Sequence, residues 1–227
     1  MSLVARVDKA AGLRGHLSVG DNAMNYYDQH SLRLFAQYRG VSAEAVHAHW
    51  RHLLPPVPGQ ACDIGAGAGR DATWLSRLGW TVTAVEPAPG LRALASAQSP
   101  ATIRWLDDSL PHLSRLKQME VQCDLVLISA VWMHLNQVQR HTAMASVRSL
   151  LKPEGLLVIS LRSGPDDGRN FFPVSFAELN ASACLHGLTC VFEQQQDDIY
   201  GREQVAWHTA CFKAITTNSD NHHDCNS

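Results

Sequence analysis

The segment Cys62-Asp63-Ile64-Gly65-Ala66-Gly67-Ala68-Gly69-Arg70-Asp71 constrains the fold of this chain more than any other stretch. A short apolar run ends in an acid, passes into glycines at alternate positions and continues into residues with helical spacing. Glycine tolerates positive φ and carries no Cβ, so such a turn lets a ligand come close to the backbone. The helix start that follows offers N–H groups without intrahelical partners. This is the pattern of a cofactor loop in a βα unit. A second acid, Glu86, closes the next apolar run, Val82-Thr83-Ala84-Val85-Glu86-Pro87, where a carboxylate can accept both hydroxyls of an adenosine ribose. The pair of signals is far more specific than either alone.

From Gly59 onward short apolar runs alternate with helical stretches, the signature of βαβ units around a largely parallel sheet. The pattern predicts strands at 61–64, 81–86, 102–106, 124–129, 155–161, 189–194 and 205–213, with helices at 71–78, 90–97, 137–151 and 175–186. Ser175 with Glu178 three residues on marks the start of the last helix. Ahead of the core, helical spacing predicts one helix over 22–38 and a second over 42–54, stopped by Pro55, Pro56 and Pro58. The expected division is a flexible arm at 1–21, a helical lid segment at 22–59, a cofactor-binding core at 60–213 and a polar, disordered tail at 214–227. A chain of 227 residues suits one such domain, since domains run to roughly 100–200 residues.

Charge discriminates between nucleoside cofactors. A dinucleotide brings a pyrophosphate, for which Asp63 beside the loop and Asp71 at the helix start are poor neighbours. Those acids suit a cation. S-adenosylmethionine joins a ribose to a sulfonium and an α-ammonium group, and its single carboxylate can use loop N–H groups or Arg70. The spacing is also G-x-G-x-G rather than the G-x-G-x-x-G of dinucleotide sites. The formal net charge of −2 leaves no electrostatic footprint for nucleic acid or an anionic membrane surface.

At these residues the sequence resembles the class I S-adenosylmethionine-dependent methyltransferases, over roughly 60–213. Residues 63–69 look like that family's first motif, and Glu86 holds the position of its ribose acid. Trp105-Leu106-Asp107-Asp108-Ser109-Leu110-Pro111 is similar to the acidic turn after the third strand. There the resemblance implies that a carboxylate, Asp108 in preference to Asp107, holds the adenine amino group and that the following residues cover the ring. Residues 123–135 resemble the fourth motif, which leads to the methyl-transfer face, and Leu150-Leu151-Lys152-Pro153-Glu154-Gly155 the turn and strand that follow, with Glu154 where glycine is frequent. The fold implied is α/β: a Rossmann-like three-layer sandwich on a seven-stranded, mostly parallel sheet whose last strand is antiparallel. The set implied for the cofactor, with S-adenosylhomocysteine as product, is Asp63, Gly65, Ala66, Gly67, Gly69, Arg70, Asp71, Glu86, Pro87, Asp107, Asp108, Ser109, Ser129 and Ala130.

Methyl transfer from a sulfonium is an in-line displacement that depends on positioning and exclusion of water. A general base is needed only where the acceptor starts protonated, and His134, just after the fourth strand, is the candidate. Histidines there also cap helices or pack against the sheet. Tyr26 and Tyr27 (as lid), Trp132 and His134 (as pocket wall), Arg162 (for an anionic group) and Phe171 (in the turn-rich loop 164–173) are the candidates for holding the acceptor. The expected acceptor is a small-molecule O, N or S nucleophile. A protein or RNA acceptor, a non-catalytic module binding the same cofactor, and a nicotinamide oxidoreductase are the alternatives. No cysteine or histidine spacing reads as a metal set, and His222, His223 and Cys225 lie in a polar tail. Six cysteines without a C-x-x-C pair, no signal-like start and no apolar run of about 20 residues lead to an expectation of a cytoplasmic protein, as monomer or homodimer.

Overall fold

A computed structural model of the chain describes residues 26–166, 168–199 and 201–215. The expectations for the arm at 1–21 and for the tail from 216 onward lie outside the described residues. The seven strands are β1 (Gln60–Ile64), β2 (Thr81–Val85), β3 (Arg104–Leu106), β4 (Cys123–Ser129), β5 (Leu151–Ser163), β6 (Leu188–Asp197) and β7 (Ala206–Ala214). They form one sheet in the order β3-β2-β1-β4-β5-β7-β6. All neighbouring pairs are parallel except the two that β7 makes with β5 and β6. Each predicted strand is present, and the last strand is antiparallel, as the family resemblance implies.

Helices α1 (Ser31–Arg39), α2 (Ala43–Val46), α3 (Arg70–Arg77), α4 (Pro89–Ala97), α5 (Ser114–Gln118), α6 (Gln137–Leu150) and α7 (Phe176–Leu185) flank the sheet. Local chemistry starts several of them. Pro89 pre-sets φ at the first turn of α4. Asn136 and Gln139 exchange side-chain and backbone bonds in a capping box at α6. At α7 the Ser175 hydroxyl accepts the Glu178 N–H at 3.2 Å, as the sequence predicts, while the Glu178 carboxylate pairs with buried Arg140 at 3.0 Å.

One apolar cluster fills the face bearing α6 and α7, with Trp132, Leu150, Leu157 and Phe212 at its centre. A second, with Trp50, Trp74, Leu75 and Trp80, fills the other face. A third, around Leu34, Phe35 and Leu91, seats α1 on α4.

The N-terminal segment departs from expectation. Its first helix is broken: a helical turn at 26–29 ends at His30, whose backbone N–H and imidazole Nδ1 both reach the Tyr26 carbonyl, at 3.1 and 2.8 Å. The predicted second helix is reduced to α2 and a 3-10 turn, Arg51–Leu53, because His47 and Trp50 turn inward and are buried. Tertiary burial outweighs helix propensity over this stretch. Helix α5 and a 3-10 turn at Trp132–His134 carried no sequence prediction.

Candidate functional site

The strand order reverses between β1 and β4, and the carboxyl ends of strands flanking such a point are where open α/β sheets take ligands. A cavity of about 640 Å³ opens there. On its floor the loop after β1 carries Gly65, Gly67 and Gly69 at φ +74°, +54° and +72°, a left-handed run that glycine adopts without cost. A Cβ on Gly65 would stand 2.3 Å from Val131 Cγ2, so the loop and the chain after β4 fit only in the absence of a side chain.

Glu86, at the end of β2, ties the loop to the next helix. Its Oε2 accepts the Gly67 N–H and its Oε1 the Ala88 N–H, each at 2.8 Å. Burial pushes its carboxyl up to about 6, against the pull of those two N–H groups. The group is therefore mostly ionised at neutral pH, and each oxygen keeps a lone pair for a further donor. Pro87 and Ala88 continue the wall.

The two aspartates after β3 are separated. Asp107 turns outward to Arg92 and Arg115, at 3.2 and 3.3 Å. Asp108 lines the cavity with Ser109, Leu110 and Pro111, its carboxylate accepting the Ser109 and Leu116 N–H groups at 2.9 and 2.8 Å. Of the two, only Asp108 stands on the wall.

The loop acids divide in the same way. Asp63 lies beneath the glycines, 1% exposed, and its Oδ2 has no hydrogen-bond partner among the described residues. Burial, then the nearby Asp71, drives its carboxyl well above the ordinary range. Asp71 stands on the wall instead. Burial alone would raise its carboxyl, but His47 and Arg70 outweigh that and hold it well below the ordinary range. Arg70 grips it with both ends of the guanidinium, at 2.6 and 2.9 Å. His47 Nε2 lies 3.0 Å from Asp71 Oδ1. The Trp50 indole, a donor only, gives its N–H to His47 Nδ1 at 3.1 Å, which puts the imidazole proton on Nε2, facing Asp71. Sequence reasoning missed His47 and Trp50, whose adjacency to the loop is created by the broken second helix.

Over β4 and β5 the wall continues through Ser129, Ala130, Val131, His134 and Arg162. Ala130 has φ +60°, and its N–H is held by Ser160 Oγ at 3.0 Å. The Tyr27 hydroxyl meets His134 Nε2 at 3.0 Å, bridging the N-terminal segment to the fourth motif. Burial pushes the Tyr27 phenol far up, so this hydroxyl keeps its proton. Arg169, Arg202 and Trp207 also line the cavity and were not foreseen.

Three of the expected acceptor residues stand off the wall. Trp132, expected to wall the pocket, is 1% exposed in the core under α6, because the 3-10 turn points it inward while bringing His134 to the cavity. Tyr26 faces away, stacked on His30 at 4.3 Å and accepting from Arg33 at 3.0 Å. Phe171 sits behind the wall, its ring 5.1 Å from His134 and 4.8 Å from the guanidinium carbons of both Arg162 and Arg169.

Sheet order, glycine loop and strand-end acid together define a nucleoside-cofactor domain of the Rossmann-like class. Residues 62–159 match the family described as "Methyltransferase domain". An uncharacterized methyltransferase of Mycobacterium bovis and another of Mycobacterium tuberculosis are each 30% identical over 105 residues, 46% of this chain and 40% of theirs. The chain thus spans well under half the length of these relatives. The solved 1,6-didemethyltoxoflavin N1-methyltransferase of Burkholderia thailandensis superposes with a TM-score of 0.62 at 18% identity, over 93% of this chain and 99% of that one. Magnesium protoporphyrin IX methyltransferase of Synechocystis gives 0.68 at 12% identity, over 86% and 99%. Residues 62–159 are thus similar to the methyltransferase domain, in line with the resemblance to the class I S-adenosylmethionine-dependent family, whose cofactor that similarity implies.

Proposed function

We propose that this protein transfers the methyl group of S-adenosylmethionine to an oxygen, nitrogen or sulfur nucleophile of a small molecule. The observation that carries this proposal is the single cavity running from the Glu86 and Asp108 carboxylates, past the glycine loop, to His134 and Arg162. At about 640 Å³ it lies within the usual 300–1,000 Å³ of small-molecule pockets. The residues present suit the cofactor. Glu86 offers two oxygens to the ribose hydroxyls, Asp108 faces the adenine end, and Gly65 and Gly67, without Cβ atoms, let the methionine portion come close to the backbone. Asp71, held ionised on the wall, supplies negative charge near its ammonium group, with the Asp63 carboxyl buried beneath the loop.

When bound, S-adenosylmethionine supplies a methyl carbon already activated for displacement. The chain's own contribution is to hold the acceptor in line and to exclude water. Tyr27 closes the cavity from the N-terminal side. His134 takes the acceptor's proton where one has to leave, which requires the acceptor to displace the Tyr27 hydroxyl from Nε2. A reducing, cytoplasmic setting belongs to the proposal and is supported by Cys62, Cys123, Cys184, Cys190 and Cys211, which form no disulfide among the described residues.

Thermal-shift titration tests the cofactor. S-adenosylmethionine and S-adenosylhomocysteine should raise the melting temperature and NAD(H) should not; the reverse would sink the assignment. Incorporation of labelled methyl groups into a metabolite extract tests turnover, and His134→Ala should lower it without weakening S-adenosylhomocysteine binding.

A further inference from the structure

Charge is segregated along the cavity by the order of the strands. Asp71, Glu86 and Asp108 line the half over β1, β2 and β3, whereas Arg162, Arg169 and Arg202 line the half over β5 and the β6–β7 hairpin. Arg162 is 6% exposed, a buried cation on a ligand-sized cavity. It faces Trp207 across the β5–β7 register. The Trp207 indole donates to Asp198 Oδ1 at 2.9 Å, and the same carboxylate takes Arg202 through Nε and Nη2 at 2.9 and 2.7 Å. Asp198 therefore fixes a guanidinium and an indole as neighbours. Arg162 and Arg169 share the Phe171 ring, whose other contact is His134. Asp197 is the carboxylate on this half of the wall. Asp198 engages Arg202, and Arg162 also donates to the Pro165 carbonyl at 3.0 Å.

We infer that the methyl acceptor is an anion, an aromatic or otherwise apolar body carrying a carboxylate or phosphate, seated with its charged group on Arg162 and Arg169 and its body against Trp207. This rests on the methyltransferase reading above and names the acceptor class of the same site. Guanidinium groups bind such oxyanions through paired N–H donors, and a buried one gains most from them. Because Phe171 touches both arginines and His134, an anion held there leaves the rest of the acceptor beside the candidate base.

The test uses protein saturated with S-adenosylhomocysteine and three matched probes, benzoate, phenyl phosphate and neutral benzamide, titrated by calorimetry at constant ionic strength. At least one anion should bind tenfold or more tightly than benzamide, and benzoate against phenyl phosphate distinguishes the two sources of charge. Arg162→Gln should bring the anion to the level of benzamide while S-adenosylhomocysteine affinity stays within twofold. Should that buried substitution prevent folding, Arg169→Gln, at a half-buried position, carries the same expectation. Benzamide binding as well as the anions, none of the three binding, or anion affinity surviving the arginine substitution would each overturn the inference. Failure of the wild-type protein to bind S-adenosylhomocysteine would instead overturn the methyltransferase proposal.

Discussion

Glu86→Gln tests the ribose assignment and the electrostatics of the loop in one protein. Both Glu86 oxygens accept a backbone N–H, from Gly67 and from Ala88. An amide retains one acceptor and turns a donor toward the other N–H in either orientation, a buried mismatch costing roughly 1–3 kcal/mol. Set against that is the burden of the buried charge. With its carboxyl raised from 4.5 to about 6, ionised Glu86 disfavours the fold by about 2 kcal/mol at neutral pH, which the neutral amide escapes. The two effects offset, so the variant should match the wild type in stability at pH 7 to within about 1 kcal/mol.

The pH dependence does not offset. Folded Glu86 binds its proton more tightly than the unfolded chain does, so its contribution to stability is complete below 4.5 and is lost as the pH rises through about 6. Going from pH 7 down to about pH 5 should therefore stabilise the wild type relative to the variant by about 1 kcal/mol in urea unfolding. Taking the difference between the two proteins cancels the other titrating groups. For the cofactor, loss of charged hydrogen bonds worth about 1.5–3 kcal/mol should weaken S-adenosylhomocysteine by roughly 10- to 100-fold by calorimetry at pH 7. An affinity within about threefold of the wild type would refute Glu86 as the ribose acid. A stability difference that ignores pH would refute the burial argument.

Wild-type affinity for S-adenosylhomocysteine should itself fall about tenfold per pH unit as the pH drops below about 6, and in Glu86→Gln the profile should be flat. Gly65→Ala combines a left-handed backbone with the contact to Val131 and should cost about 2–4 kcal/mol in urea unfolding; adding Val131→Ala should recover the steric part only. Asp71→Asn leaves Arg70 without its buried counter-charge and should cost about 3–5 kcal/mol. Because folded Asp71 is held below its unfolded value, its contribution is present above the ordinary carboxylate range and lost as the pH falls below it. The urea midpoint of the wild type should accordingly drop in acid more steeply than that of Asp71→Asn.

Much of this protein was legible in its sequence because the responsible physics is local. Alternating apolar runs and helical stretches specify buried parallel strands with crossover helices, and all seven strands stand where the pattern puts them. Glycines at 65, 67 and 69 specify a left-handed turn before any partner is known, and Glu86 falls at a strand end because the apolar run stops there. What only the tertiary structure decided is where side chains outside that period turn. Asp63 and Asp71 look equivalent in sequence, yet one lies under the loop and the other on the wall. Asp107 and Asp108 are neighbours, yet salt bridges draw the first outward. His134 reaches the cavity and Trp132 the core because a single 3-10 turn points them in opposite directions. His47, Trp50, Arg169, Arg202 and Trp207 come to the site across long separations in the chain, through burial and cross-strand register that no local spacing encodes.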